Sequence, residues 1–259
     1  MRMMKKVLGT VTVLALSVSL LAGCGSTAAS PVSSAASTAA ESATSSVVSE
    51  TTSAAADKNV AAAAQLLNDL TGSYQELWPV ILADEYQQTW LDDCTALVGE
   101  ENAEAAFEKL SSMVTGDVYG ENAVKAYANG GGAYFCGFTN SLATLTFDGE
   151  TSTISGIAKD GNVLFSHTYH YIGMEPVRGL YEFESDDADS GEFTYFFLAP
   201  DTSAETYHIE FRYGSDADAL SQYDAGDYAY WVASGISTDC DQTMIDNCIE
   251  LFCTENLAG

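Results

Sequence analysis

Near Ala133 the hydrophobic period of this chain changes from that of a helix to that of a strand, and no other feature limits its fold as much. Before that point apolar residues recur every three or four positions. Val60, Ala63, Ala64, Leu67 and Leu70 make one such stripe, and Ala103, Ala106, Phe107, Leu110 and Met113 make another. After it, short runs alternate in and out, with period two. Leu142–Phe147 precedes Asp148-Gly149, and Ile154–Ala158 precedes Asp160-Gly161; both dipeptides are hairpin-turn signals. Further strands are expected at Phe165–Ile172, Gly179–Glu184, Glu192–Leu198 and Thr206–Tyr213. The end of the chain returns to helix: Thr238 or Asp239 can cap it, and Met244, Ile245, Cys248, Ile249 and Phe252 line one face. The expected order is helices, antiparallel β-meander, helix, with six or so short strands rolled into a barrel or sandwich.

The first 56 residues are of a different kind. Arg2, Lys5 and Lys6 precede an apolar run, Val7 to Leu21, of about 15 residues, too short for a permanent span, which needs roughly 20. The run ends in Leu21-Ala22-Gly23-Cys24, which resembles the lipobox of bacterial lipoproteins. That resemblance implies a signal peptide over 1–23, cleavage before Cys24, a diacylglyceryl group on its thiol, and palmitate as part of the lipid anchor. The protein is then expected to sit lipid-anchored on the extracytoplasmic face of the cell membrane. Residues 24–56 are nearly all Ser, Ala, Thr and Val and hold no aromatic residue. Such a segment cannot bury enough surface to offset the entropy of ordering, so it reads as a tether. Residues 57–259 remain, enough for one sizeable domain.

Charge excludes some partners. The chain has 9 basic and 37 acidic residues, a net −28. Three of the basic residues and none of the acids lie in 1–23, so cleavage leaves a net −31. Nucleic acid and anionic lipid headgroups are poor partners for that surface, whereas cations are natural ones. Cys94, Cys136, Cys240, Cys248 and Cys253 contain no Cys-x-x-Cys, which removes zinc-ribbon and thioredoxin readings. Structural disulfides or buried free thiols are expected, with the pairing open.

The strands carry a resemblance. Leu70-Thr71-Gly72-Ser73-Tyr74-Gln75-Glu76-Leu77-Trp78-Pro79 looks like the opening of the ZinT domain, and Val177-Arg178-Gly179-Leu180-Tyr181-Glu182-Phe183 resembles its Val-Arg-Tyr strand. Leu198-Ala199-Pro200 followed by Tyr207-His208-Ile209 resembles the stretch that bears its zinc ligands, and Tyr228 to Trp231 with the closing helix is similar to its tail. The resemblance implies a calycin (lipocalin-like) antiparallel barrel with N-terminal helices and a C-terminal helix. It also implies a divalent cation as ligand, zinc first, and a metal transporter as a protein partner. Of the three histidines that the family uses, one position is matched here, His208; Thr206 and Phe196 stand at the others.

Period two places Thr206, His208 and Glu210 on one face of their strand and Tyr207, Ile209 and Phe211 on the buried one. His208 and Glu210 are therefore the candidate metal ligands. His170, on a neighbouring strand, is a further candidate, and His167, three residues away, points to the opposite face. A carboxylate replacing imidazole shifts preference from zinc toward harder cations such as calcium. Asp186-Asp187-Ala188-Asp189 and Asp216-Ala217-Asp218 lack the acid and glycine spacing of an EF-hand and read as solvated turns. Gly130-Gly131-Gly132 has no strand–loop–helix context for a phosphate cradle, and no nucleophile elbow appears. The chain reads as a binding protein and not an enzyme. The alternative is a metal-free calycin barrel that takes a small molecule or a protein partner, with an apolar cup as its mark.

Overall fold

The computed structural model describes residues 44–114, 118–129, 134–199 and 208–258, with side chains from 57 onward. Eight antiparallel strands form a closed barrel in sequential order. They are β1 (Gly72–Glu76), β2 (Leu142–Asp148), β3 (Thr153–Ala158), β4 (Val163–Met174), β5 (Tyr181–Ser185), β6 (Tyr195–Leu198), β7 (His208–Gly214) and β8 (Ala233–Ser237). The six expected strands are present within a few residues of their expected bounds. The two not expected, β1 and β8, close the ring: Tyr74 pairs with Ser237 and Glu76 with Gly235. Neither looks like a strand alone, because each is five residues long and the apolar content of β1 is Tyr74 only.

Among the described residues, one α-helix precedes the barrel and one follows it, four lie between β1 and β2, and a short one lies between β7 and β8. They are α1 (Thr44–Asp69), α2 (Leu77–Ile81), α3 (Gln87–Val98), α4 (Ala103–Val114), α5 (Glu121–Ala128), a single turn α6 (Ala217–Leu220) and α7 (Gln242–Leu257). Two expectations are corrected here. Residues 44–56, read as part of the tether, belong to α1; no glycine or proline interrupts Thr44–Asp69, which is Ala-rich from Ala54 onward. The cap of α7 is Asp241 and not Thr238 or Asp239. Its carboxylate accepts from the Met244 N–H, and the Met244 sulfur in turn accepts from the Asp241 N–H. Gly99 ends α3, with φ 87°, a conformation other residues rarely adopt.

Two cores result. Phe147, Phe165, Tyr169, Phe183, Phe196, Phe211 and Tyr213 fill the barrel interior, and Leu66, Leu67 and Leu70 of α1 join them. An eight-stranded barrel is only wide enough for side chains to meet inside it, and here aromatic rings of non-adjacent strands do so: Phe165 of β4 lies 5.9 Å from Phe196 of β6 and stacks at 4.0 Å on Phe193, just before β6. Gly156 makes room for Phe165, since a Cβ there would lie 2.3 Å from its ring. The second core lies outside the barrel, where Trp78, Trp90, Leu110, Ile245 and Ile249 pack with Ile236 of β8.

Candidate functional site

The sequence pattern holds on β7. Ile209, Phe211 and Tyr213 are buried in the barrel core, and His208, Glu210 and Arg212 alternate with them on the outer face. His208 is half-buried and lies opposite Ile236; Glu210 is exposed and lies opposite Ser234. Two residues apart on a strand, their Cα atoms are about 6–7 Å apart. The family-like pieces fall on consecutive paired strands. Tyr181-Glu182-Phe183 is in β5, Leu198 ends β6 against Tyr181 and Phe211, and His208 opens β7. Thr206 and Pro200 lie outside the described residues.

Phe196, where the family's third histidine falls, is fully buried among Tyr169, Phe211 and Tyr213 inside the barrel. It is a core residue facing away from His208.

His170 does not join His208. It lies opposite Glu184, which lies opposite Tyr195, which lies opposite Gly214 at the far end of β7 from His208. Six residues of strand separate Gly214 from His208, roughly 20 Å at ~3.3 Å per residue. The structure instead gives both other histidines to the acids after β5. His170 Nδ1 is 2.7 Å from the Asp186 carboxylate with its Nε2 3.9 Å from Glu184, and His167 Nδ1 is 2.8 Å from Asp187. His167 faces inward against Phe165 and His170 outward, the opposite faces that the three-residue spacing requires. Asp186 and Asp187 thus hold histidines, and Asp216 caps α6 through the Ala219 N–H, so neither acidic run is arranged as a calcium loop. Among the described residues, no three His, Cys, Asp or Glu side chains converge as a metal cage. Cys24 and Gly130-Gly131-Gly132 lie outside the described residues.

Sequence reading missed a buried cationic stack beside this face. Arg212 continues the outward row from His208 and Glu210 but is fully buried. Its guanidinium donates to the carbonyls of Leu220, Gln222 and Tyr228. Its carbon sits 4.3 Å from the Tyr223 ring centre, and that of Arg178 sits 4.3 Å from the same ring, so both cations meet one aromatic ring. Glu175, also buried, accepts from the Val177 and Arg178 backbone N–H groups at 2.7 and 2.6 Å. Burial draws the Arg212 pKa down and pushes the Tyr223 hydroxyl up to about 12. The only hint in the sequence was an arginine amid aromatic strand residues. Nearby, burial first and the Glu210 charge second push the Cys136 thiol up to about 12.

No family model and no curated protein matches the chain. Among solved structures it is similar to the Zn(II)-bound ZinT-like domain of AdcA from Streptococcus pneumoniae. Identity is 15%, over 71% of this chain and 89% of that one, with a TM-score of 0.46. It is similar also to Zn(II)-bound AdcA of the same organism, at 14% identity over 71% of this chain and 35% of that one, with a TM-score of 0.44. The chain thus spans about a third of the length of the latter protein. The fold itself is a closed eight-stranded antiparallel barrel with helices packed beside it.

Proposed function

We propose that this chain is a lipid-anchored, extracytoplasmic binding protein of ZinT type, which takes a divalent cation weakly at His208 and Glu210. The observation that carries the reading is the place of His208. It opens β7, the strand that pairs with β6, where the family-like Leu198-Ala199 pair begins, and Glu210 follows on the same outer face. These two donors do not by themselves fit a four-coordinate zinc cage, so water completes the shell and the site is weaker than a three-histidine one. Imidazole favours zinc, and a carboxylate with waters tolerates calcium. Acid protonates the imidazole, so affinity falls as pH drops. The net negative charge attracts cations to the whole surface, which makes a site-specific control necessary.

Calorimetric titration of the protein with zinc and with calcium, alongside His208→Ala, tests this. The expected outcome is saturable binding that the variant loses and a chelator strips. Absence of binding up to millimolar metal, or binding equal in the variant, would overturn it in favour of the metal-free barrel. In that second reading the partner meets the outside of the barrel, because aromatic side chains already occupy the interior where an apolar cup would lie. A transporter as partner follows from the family resemblance and is proposed on that ground alone.

A further inference from the structure

Cys94 in α3 and Cys253 in α7 bring their sulfurs within 3.9 Å of each other across 159 residues of sequence. Both side chains are completely buried in the helical core outside the barrel. The helices α3 and α7 pack on one another, so the contact belongs to the helix pairing and not to a loop. Cys136 lies elsewhere, beside Trp78 and Ser234.

We propose that Cys94 and Cys253 are a cross-linking pair, which oxidises to a disulfide tying α3 to α7. A disulfide needs sulfurs at about 2.05 Å, so the two must close by about 2 Å, a movement within reach of side-chain rotation and a slight helix shift. Burial in the folded state raises both thiol pKa values and shields both sulfurs from reagents, so the bond forms as α7 docks and not afterwards. The oxidant is a disulfide donor, R–S–S–R, such as an oxidising extracytoplasmic compartment supplies. One cysteine thiolate attacks the donor and releases RS⁻, giving a mixed disulfide. The second thiolate attacks the protein sulfur of that mixed disulfide and releases the other RS⁻. Two electrons pass to the donor, and the two thiol protons end on the two released RS⁻ groups as R–SH. The inference is independent of any metal site.

The test is to refold the full chain from denaturant with oxidised glutathione, and in parallel with reduced glutathione. Remaining thiols are then blocked with iodoacetamide in denaturant, and the peptides are mapped by mass. The expected result in the oxidised sample is a Cys94 peptide joined to a Cys253 peptide, lighter by two hydrogens than their sum, with Cys136 alkylated. Alkylation of both Cys94 and Cys253 there, or Cys253 joined instead to Cys240 or Cys248, would overturn the proposal. In the oxidised sample the melting temperature is expected to stand several degrees above that of the reduced one, and the Cys94→Ala/Cys253→Ala protein is expected to show no such gap. An equal gap in that variant also defeats the assignment.

Discussion

Phe183 and Phe197 show how far a single residue's surroundings can be read in advance. Both are completely buried, yet on opposite faces of the sheet. Phe183 pairs with Phe196 inside the barrel, and Phe197 lies outside between Glu182 and Arg212 in the cross-strand row. Truncation of either to Ala is expected to cost ~3–5 kcal/mol by urea denaturation. A loss under about 1 kcal/mol at Phe197 would mean that the segment covering it is loosely held. Cysteine thiols give the pH dependence. Burial first pushes Cys136 and Cys248 up from 9.0 to about 12. Below pH 9 folded and unfolded chains both hold these protons. Between 9 and 12 only the unfolded chain releases them, so stability falls as pH rises, by up to about 1.4 kcal/mol per pH unit for each thiol. Urea midpoints measured with reductant at about pH 8 and about pH 10.5 should differ less in Cys136→Ala/Cys248→Ala than in the wild type. His208 was legible because a family-like pattern marked it. Arg212 was not, since an alternating strand position reads as exposed until the segment holding Leu220 and Tyr228 folds over it.

At the scale of elements, the turns were the most legible part. Asp160-Gly161 closes β3 to β4 with Gly161 at φ 85°, and the Asp160 carboxylate accepts from the Asn162 N–H. Asp148 likewise accepts from the Glu150 and Thr151 N–H groups after β2. What the turn dipeptide did not disclose is the neighbour of Gly149. A Cβ there would lie 2.4 Å from the Asn68 Cα, because the β2–β3 turn presses on the end of α1, and the Gly149 N–H donates to Thr71 Oγ1. Gly149→Ala is therefore expected to lower stability by about 1–3 kcal/mol, through displacement of backbone against backbone. A variant with an unchanged urea midpoint would show that α1 is not seated on this turn. The helix α5 was not expected at all. Its buried residue is Ala123, and eight residues give too few turns for a periodic signal.

For the whole molecule, the open question is where it works. No described helix is long and apolar enough to cross a membrane. The proposed membrane location rests on lipid at Cys24. Wild-type protein is expected in the membrane fraction with lipid on Cys24, and Cys24→Ala is expected to give uncleaved or unlipidated precursor. A soluble mature protein with an unmodified Cys24 would remove both the anchor and the location from the proposed function. The sequence by itself determined the class of fold: helices, a run of antiparallel strands with their turns, and a closing helix. These depend on period, propensity and turn chemistry within a few neighbouring residues. Only the tertiary structure decided that the sheet closes, because closure rests on β1 pairing with β8 across more than half the chain. It alone also filled the barrel with Phe196, Phe211 and Tyr213 and set His170 at the opposite end from His208. Residue type and spacing along one strand fix which face a side chain takes, whereas register across several strands fixes which side chains meet.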